Sequence, residues 1–157
     1  MEHNIRLHME YGDTHLFSFP MRYAPIDRTD RNYVGKYWTK KQLSAMNEIL
    51  NVTKGVVMME DDFFYKAFGH STEEFLEILS MPSEFIKNRS FFEDNGKIED
   101  WRNEYDLLSG EQRTVLLNHL SKPKKDWTLC EEMDWQLSNI EKYYHITKES
   151  MSKNSVA

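Results

Sequence analysis

Cysteine is nearly absent from this 157-residue chain, and Cys130 stands alone. A single thiol forms no disulfide within the chain and by itself builds no cysteine-based zinc or iron–sulfur site. Glycine is scarce as well, six in all, and the sequence holds neither GxGxxG nor GxxxxGK followed by Ser or Thr, the spacings that cradle phosphate. There is no GxSxG turn for a serine nucleophile and no HExxH for a zinc-binding helix. No apolar run approaches the roughly 20 residues that cross a bilayer. The start, MEHNIRLHMEYGD, is polar and acidic; a signal peptide would be basic and then apolar, so the expected location is cytoplasmic. A surplus of positive charge is missing too. The net charge is −6, whereas phosphate contacts need an excess of Lys and Arg, so nucleic acid is not the expected partner, nor, without a spanning run, is a membrane.

What is present is aromatic. Apolar residues make up 39% of the chain, below the usual range, but Phe, Trp and Tyr reach 13%. Large rings bury more area per residue than small aliphatics, so a genuine core is expected within one domain. The terminal KESMSKNSVA (148–157) is polar, with no cap evident in the sequence, and reads as a flexible tail.

The first part of the chain has a different texture from the rest. Ile5, Leu7, Met9 and Tyr11 alternate with Arg6, His8 and Glu10, the period of a half-buried strand. Gly12 and Asp13 then read as a turn and THLFSF as a second extended piece. Pro20 and Pro25 forbid an ordinary helix around them, so residues 4–26 are expected to be extended. From Thr39 onward the period is helical. Thr39 is a candidate cap for a helix with a Leu43, Met46, Ile49 and Leu50 stripe, stopping at Gly55. Further helices are expected from Met59 to Gly69, with Asp61 and Asp62 in its first turn, from Ser71 to Pro82 with a Ser71–Glu74 capping box, and from Ser83 to Gly96. Two more carry Ile98, Trp101, Tyr105 and Leu108, then Val115, Leu116, Leu117 and Leu120 after a Ser109–Gln112 box; a last one runs from about Thr128 to Tyr144. The expected fold is mainly α, six or seven short helices packed as an irregular bundle behind a short extended or β N-terminal segment, in a single domain over 1–147.

Catalytic signals are sparse. Glu141 and His145 are four apart on the last expected helix, but one such pair is a chance spacing and not a metal site. Glu60, Asp61 and Asp62 suit the first turn of a helix by compensating its dipole. Cys130 beside apolar residues reads as core, as do Met58, Met59 and the phenylalanines from Phe63 to Phe68.

The exception is FSFPMRYAPIDRTDRNYVGKYW, residues 17–38. From Arg22 to Lys41 there are six basic residues (Arg22, Arg28, Arg31, Lys36, Lys40, Lys41) and two acidic ones (Asp27, Asp30), a local +4 against −10 elsewhere. Such a patch suits a phosphate, a carboxylate or an acidic protein surface, or is ordinary solvated charge. The flanking prolines stiffen the backbone around Arg22 and Tyr23, aiming a guanidinium. Asp27, Arg28, Asp30 and Arg31 alternate in sign and either pair with one another or face a partner. Tyr33, Tyr37 and Trp38 are candidates for a lid over the first long helix. Arg22, Tyr23, Arg28, Arg31, Lys36 and Trp38 are therefore the candidate partner- or ligand-binding residues.

The same stretch, followed by NVTKG, FFYKAFG, EEFLEILSMP and FIKNR, resembles the C-terminal helical region of a group of bacterial radical SAM proteins. There, an SFPMRY-x-P segment, an aspartate and arginine pair and Gly-x-x-Trp follow the catalytic barrel. The resemblance spans roughly residues 5–120, and the first stretch carries most of its specificity. It implies an accessory C-terminal domain, non-catalytic on its own, acting with a barrel partner. The N-terminal strand would then be the last edge of the barrel sheet. Radical SAM proteins hold their iron–sulfur cluster on CxxxCxxC, which this chain lacks. Cluster and S-adenosylmethionine are therefore implied for the partner or a missing core, and no catalytic residue carries over. The alternative is an independent helical interaction module using the basic patch at residues 22–41; a small metal- or nucleotide-dependent enzyme is a weaker third reading.

Overall fold

The computed structural model describes residues 2–11, 21, 23–29, 32–53, 61–127 and 134–154. The first element corrects the sequence expectation. Residues Glu2–Tyr11 form a helix, α1, where the alternation from Ile5 to Tyr11 predicted a strand. A strand satisfies its amides and carbonyls only against a second strand, whereas a helix satisfies them within itself. No strand occurs among the described residues, so nothing there offers this decapeptide a sheet edge. The second extended piece, THLFSF, lies outside the described residues. Around Pro25 the expectation holds better; Pro20 lies outside the described residues. Residues 23–29 and 32–38 are irregular, with turns closed by Arg28 N–H to the Pro25 carbonyl at 3.2 Å and Trp38 N–H to the Gly35 carbonyl at 3.0 Å.

Thr39 then starts α2 (Lys40–Val52) as its sequence predicts. The Thr39 hydroxyl accepts from the Gln42 amide and the Gln42 side chain accepts from the Thr39 amide, a reciprocal box. The chain continues through α3 (Asp61–Phe68), α4 (Thr72–Ser80), α5 (Ser83–Lys87), α6 (Arg89–Asp94), α7 (Lys97–Asp106) and α8 (Gly110–Leu120). A 3-10 turn at Lys124–Asp126 follows. Next come α9 (Trp135–Glu141), a second 3-10 turn at Lys142–His145, and α10 (Lys148–Asn154). Gly69, at φ 74°, ends α3 in the left-handed conformation that a glycine adopts most cheaply. Ser71 caps α4 as expected, accepting from the Glu74 amide, but the Glu74 carboxylate reaches one residue further back, to the His70 amide.

Three helix boundaries differ from the sequence reading. The single helix expected from Ser83 to Gly96 is broken at Asn88 (φ −121°, ψ 44°), whose side chain turns back to Glu84; Asn competes readily with the backbone in this way. The last long helix is regular only over Trp135–Glu141, started by Asp134; residues 128–133 lie outside the described residues. The expected flexible tail is helical over Lys148–Asn154. Thr147 and Ser150 exchange amide-to-hydroxyl bonds at 3.1 Å, a capping box the sequence carries as TKES, and Met151 packs against the core.

Most of the core comes from the expected stripes, although Val115 on α8 and Leu76 on α4 are exposed. Ile98, Trp101 and Tyr105 are buried along α7 and Leu108 just beyond its end, with Trp101 and Tyr105 stacked at 4.9 Å. Phe85 and Phe92 approach to 4.5 Å across the Asn88 break and are fully buried. Each such side chain contributes about 1.5–3 kcal/mol through burial. α2 packs across α4, α5 and α8, and α7 against α6 and α9. Ser80, at the end of α4, joins three parts of the chain: its hydroxyl accepts from Tyr105 at 3.1 Å and its carbonyl from Tyr144 at 2.7 Å.

Candidate functional site

The apolar stripe expected on α2 turns out to be two faces. Ala45 and Ile49 enter the core, while Leu43, Met46 and Leu50 face the irregular segment before the helix. Together with Met21, Tyr23, Tyr33 and Trp38 they line a cavity of about 450 Å³. The Tyr23 and Tyr33 rings meet edge to face at 5.9 Å and 73°. Gly35 lies against Trp38, whose Cδ1 would be 3.4 Å from a side chain placed on that glycine. The turn at Gly35–Trp38 thus sets the indole beside α2, and the Thr39 cap fixes the angle at which the chain enters the helix.

Of the six candidate residues, Tyr23 and Trp38 line this cavity. Arg28 and Lys36 do not; each sits over a tyrosine ring, Arg28 on Tyr33 at 5.5 Å and Lys36 on Tyr37 at 5.4 Å. Arg22 and Arg31 lie outside the described residues. Exposure singles out the segment. The four most exposed large apolar side chains described are Ile26, Met21, Tyr37 and Tyr23, all within it. Trp38 is 39% exposed and straddles cavity and surface. The lid expected from Tyr33, Tyr37 and Trp38 is therefore divided: Tyr33 and Trp38 cover α2, and Tyr37 faces solvent.

Lys41 is removed from the basic patch. Its side chain is buried, and its Nζ donates to the carbonyls of Met81 at 2.6 Å and Leu79 at 3.2 Å, closing the C-terminus of α4. Burial pushes its pKa down to about 7, partly opposed by Glu48. Nothing in the sequence marks Lys41 as different from Lys40, because the distinction arises from α4 and α5 packing over that side of α2.

A second buried polar group also escaped the sequence reading. Glu141 and His119 are both buried, with His119 Nε2 at 3.1 Å from Glu141 Oε1; the exposed His145 lies 3.8 Å from the same oxygen. Trp127 sits between the two histidines, 5.8 Å from His119 and 5.6 Å from His145. The Glu141–His145 spacing was visible in the sequence, but its inner partner, 22 residues earlier, was not. Among the described residues no three His, Cys, Asp or Glu side chains come together as a metal-binding group, and no helix is long and apolar enough to cross a membrane.

No protein-family model matches the chain, and neither a curated protein nor a solved structure matches it.

Proposed function

We propose that this chain is a helical protein-interaction module, without catalysis of its own, that docks an acidic partner segment on the surface from Met21 to Trp38. The observation that carries this reading is the gathering of the most exposed large apolar side chains among the described residues on one segment beside an aromatic-lined cavity. Tyr, Trp, Met and Arg are the residues that interface cores favour, and contiguous exposed apolar surface marks binding sites. The charge argument selects the partner. With Lys41 buried, five basic residues stand against two acidic ones between positions 22 and 40, in a chain of net charge −6. Arg28 and Lys36, resting on rings, present cations next to apolar anchors.

The resemblance to radical SAM proteins would give that partner an identity, a barrel holding the iron–sulfur cluster and S-adenosylmethionine. Helix Glu2–Tyr11 gives no support to a barrel-edge strand over those residues. The test is a capture experiment from lysate in parallel with a Tyr23→Ser/Trp38→Ser variant, at low and high salt, with cross-linking through Lys36. Support is a protein held by the wild type, released by salt, lost from the variant and cross-linked through an acidic segment. Cysteine-rich, iron-containing prey would select the radical SAM form of the proposal. Equal capture by wild type and variant would refute the assigned surface.

A further inference from the structure

A second groove, remote in sequence from the docking segment, has the chemistry of a small-molecule site. It lies where the C-terminal ends of α2 and α3 meet the Asn88 break and the start of α10, and its volume is about 460 Å³, within the range of small-ligand sites. Val52, Ala67 and Phe91 give it apolar walls. Lys66, Arg89 and Lys148 also line it. Arg89 is held in place: its Nε bonds Glu93 at 2.7 Å, and one terminal nitrogen reaches the Lys66 carbonyl at 3.4 Å and the Met81 sulfur at 3.7 Å. Its other terminal nitrogen has no hydrogen bond among the described residues. Lys87, at the edge, is already paired with Glu48 and Glu84. Lys66 and Lys148 have no ion pair among the described residues, and Lys148 lies over the Phe91 ring at 5.2 Å.

Lys66 and Lys148, with no ion pair among the described residues, and the Arg89 guanidinium, oriented by Glu93, surround apolar walls and so offer charge-assisted contacts to an anion. The break at Asn88 is what places this arginine: an unbroken helix from Ser83 would carry Arg89 around the axis in a different direction. We propose that the groove binds an amphipathic carboxylate, with its anionic head between Lys66, Arg89 and Lys148 and its apolar body on Val52, Ala67 and Phe91.

The test is calorimetric titration of the full chain with octanoate, 1-octanol and octylamine. Saturable one-to-one binding of octanoate is expected, with octanol weaker by about tenfold or more, the effect of losing a charge-assisted contact, and octylamine not binding. Lys66→Glu/Lys148→Glu, at exposed positions, is expected to weaken octanoate by a further tenfold or more with an unchanged melting temperature. Arg89→Gln is the second variant, read only if its melting curve stays cooperative. Octanol binding as tightly as octanoate, octanoate giving no saturable heat, or the double variant binding like the wild type would each overturn the proposal.

Discussion

The amine of Lys41 donates to the main-chain carbonyl of Met81 at 2.6 Å, across 40 residues of sequence. This contact places a buried lysine where two carbonyls leave the end of α4, and it makes stability depend on pH. Burial holds the amine at about 7, against 10.5 for an open lysine. Between those values the unfolded chain carries a proton that the folded chain has released, so unfolding takes up a proton and stability rises with pH. Below pH 7 both states are charged and the full cost of burying the charge is felt. Urea unfolding between about pH 7 and 9 is expected to show this rise, at up to about 1.4 kcal/mol per pH unit for one proton. Lys41→Met is expected to abolish it. Above pH 10 burial acts with the opposite sign on Tyr143 and Tyr144, whose hydroxyls are held protonated, so stability falls there.

Tyr144→Phe is expected to cost about 1–3 kcal/mol, because the Ser80 carbonyl loses its 2.7 Å donor in a buried place. Tyr105→Phe is expected to cost less, about 1 kcal/mol, since the Ser80 hydroxyl keeps its own bond to the Leu76 carbonyl. The measurement is the shift of the urea midpoint at unchanged slope. Equal costs would mean that the hydroxyl and the carbonyl of Ser80 are not independently satisfied.

Two glycines separate backbone strain from crowding. Gly69 and Gly96 have φ of 74° and 69°. A Cβ on Gly69 would meet Glu74 Cβ and Cγ at 2.9 Å, whereas one on Gly96 meets nothing within 4 Å. Gly96→Ala is expected to cost about 1–2 kcal/mol for the left-handed backbone alone. Gly69→Ala is expected to cost more, as a larger fall in melting temperature.

Thr147→Ala is expected to loosen α10 by about 1 kcal/mol through loss of its reciprocal cap with Ser150. Amide exchange at Met151, whose N–H bonds the Thr147 carbonyl, is expected to accelerate about fivefold, with exchange in α7 unchanged. No acceleration would mean that the packing of Met151, not the cap, holds the helix.

The helical architecture was legible because its signals are local. Ser109 with Gln112 forms the box its spacing announces, Thr39 caps α2 as expected and adds a reciprocal bond with Gln42 that the sequence reading did not include, and the α7 stripe is buried as its period requires. The errors arose where a pattern had two solutions. Ile5 to Tyr11 fits a strand or a helix until the presence or absence of a neighbouring strand decides, and Asn88 reads as an ordinary helix residue until its side chain turns back to Glu84. For the candidate site, the aromatic cluster of Tyr23 and Trp38 was visible in composition. Which cation faces a ring, which is buried and which two histidines share Glu141 depend on helices distant in sequence, and no local period encodes them.

Ser80 also has a kinetic consequence. The end of α4 is completed by Tyr105 from 25 residues away and Tyr144 from 64, and the start of α2 is tied to Ser121 across 80. Helices with strong caps form early and locally, but closing these loops carries an entropy cost that only the assembled ends repay. During synthesis the end of α4 is therefore expected to stay open until Tyr144 has left the ribosome. Up to that moment Phe85, Phe92 and Trp101, the side chains that anchor the finished core, are the surface a chaperone would see.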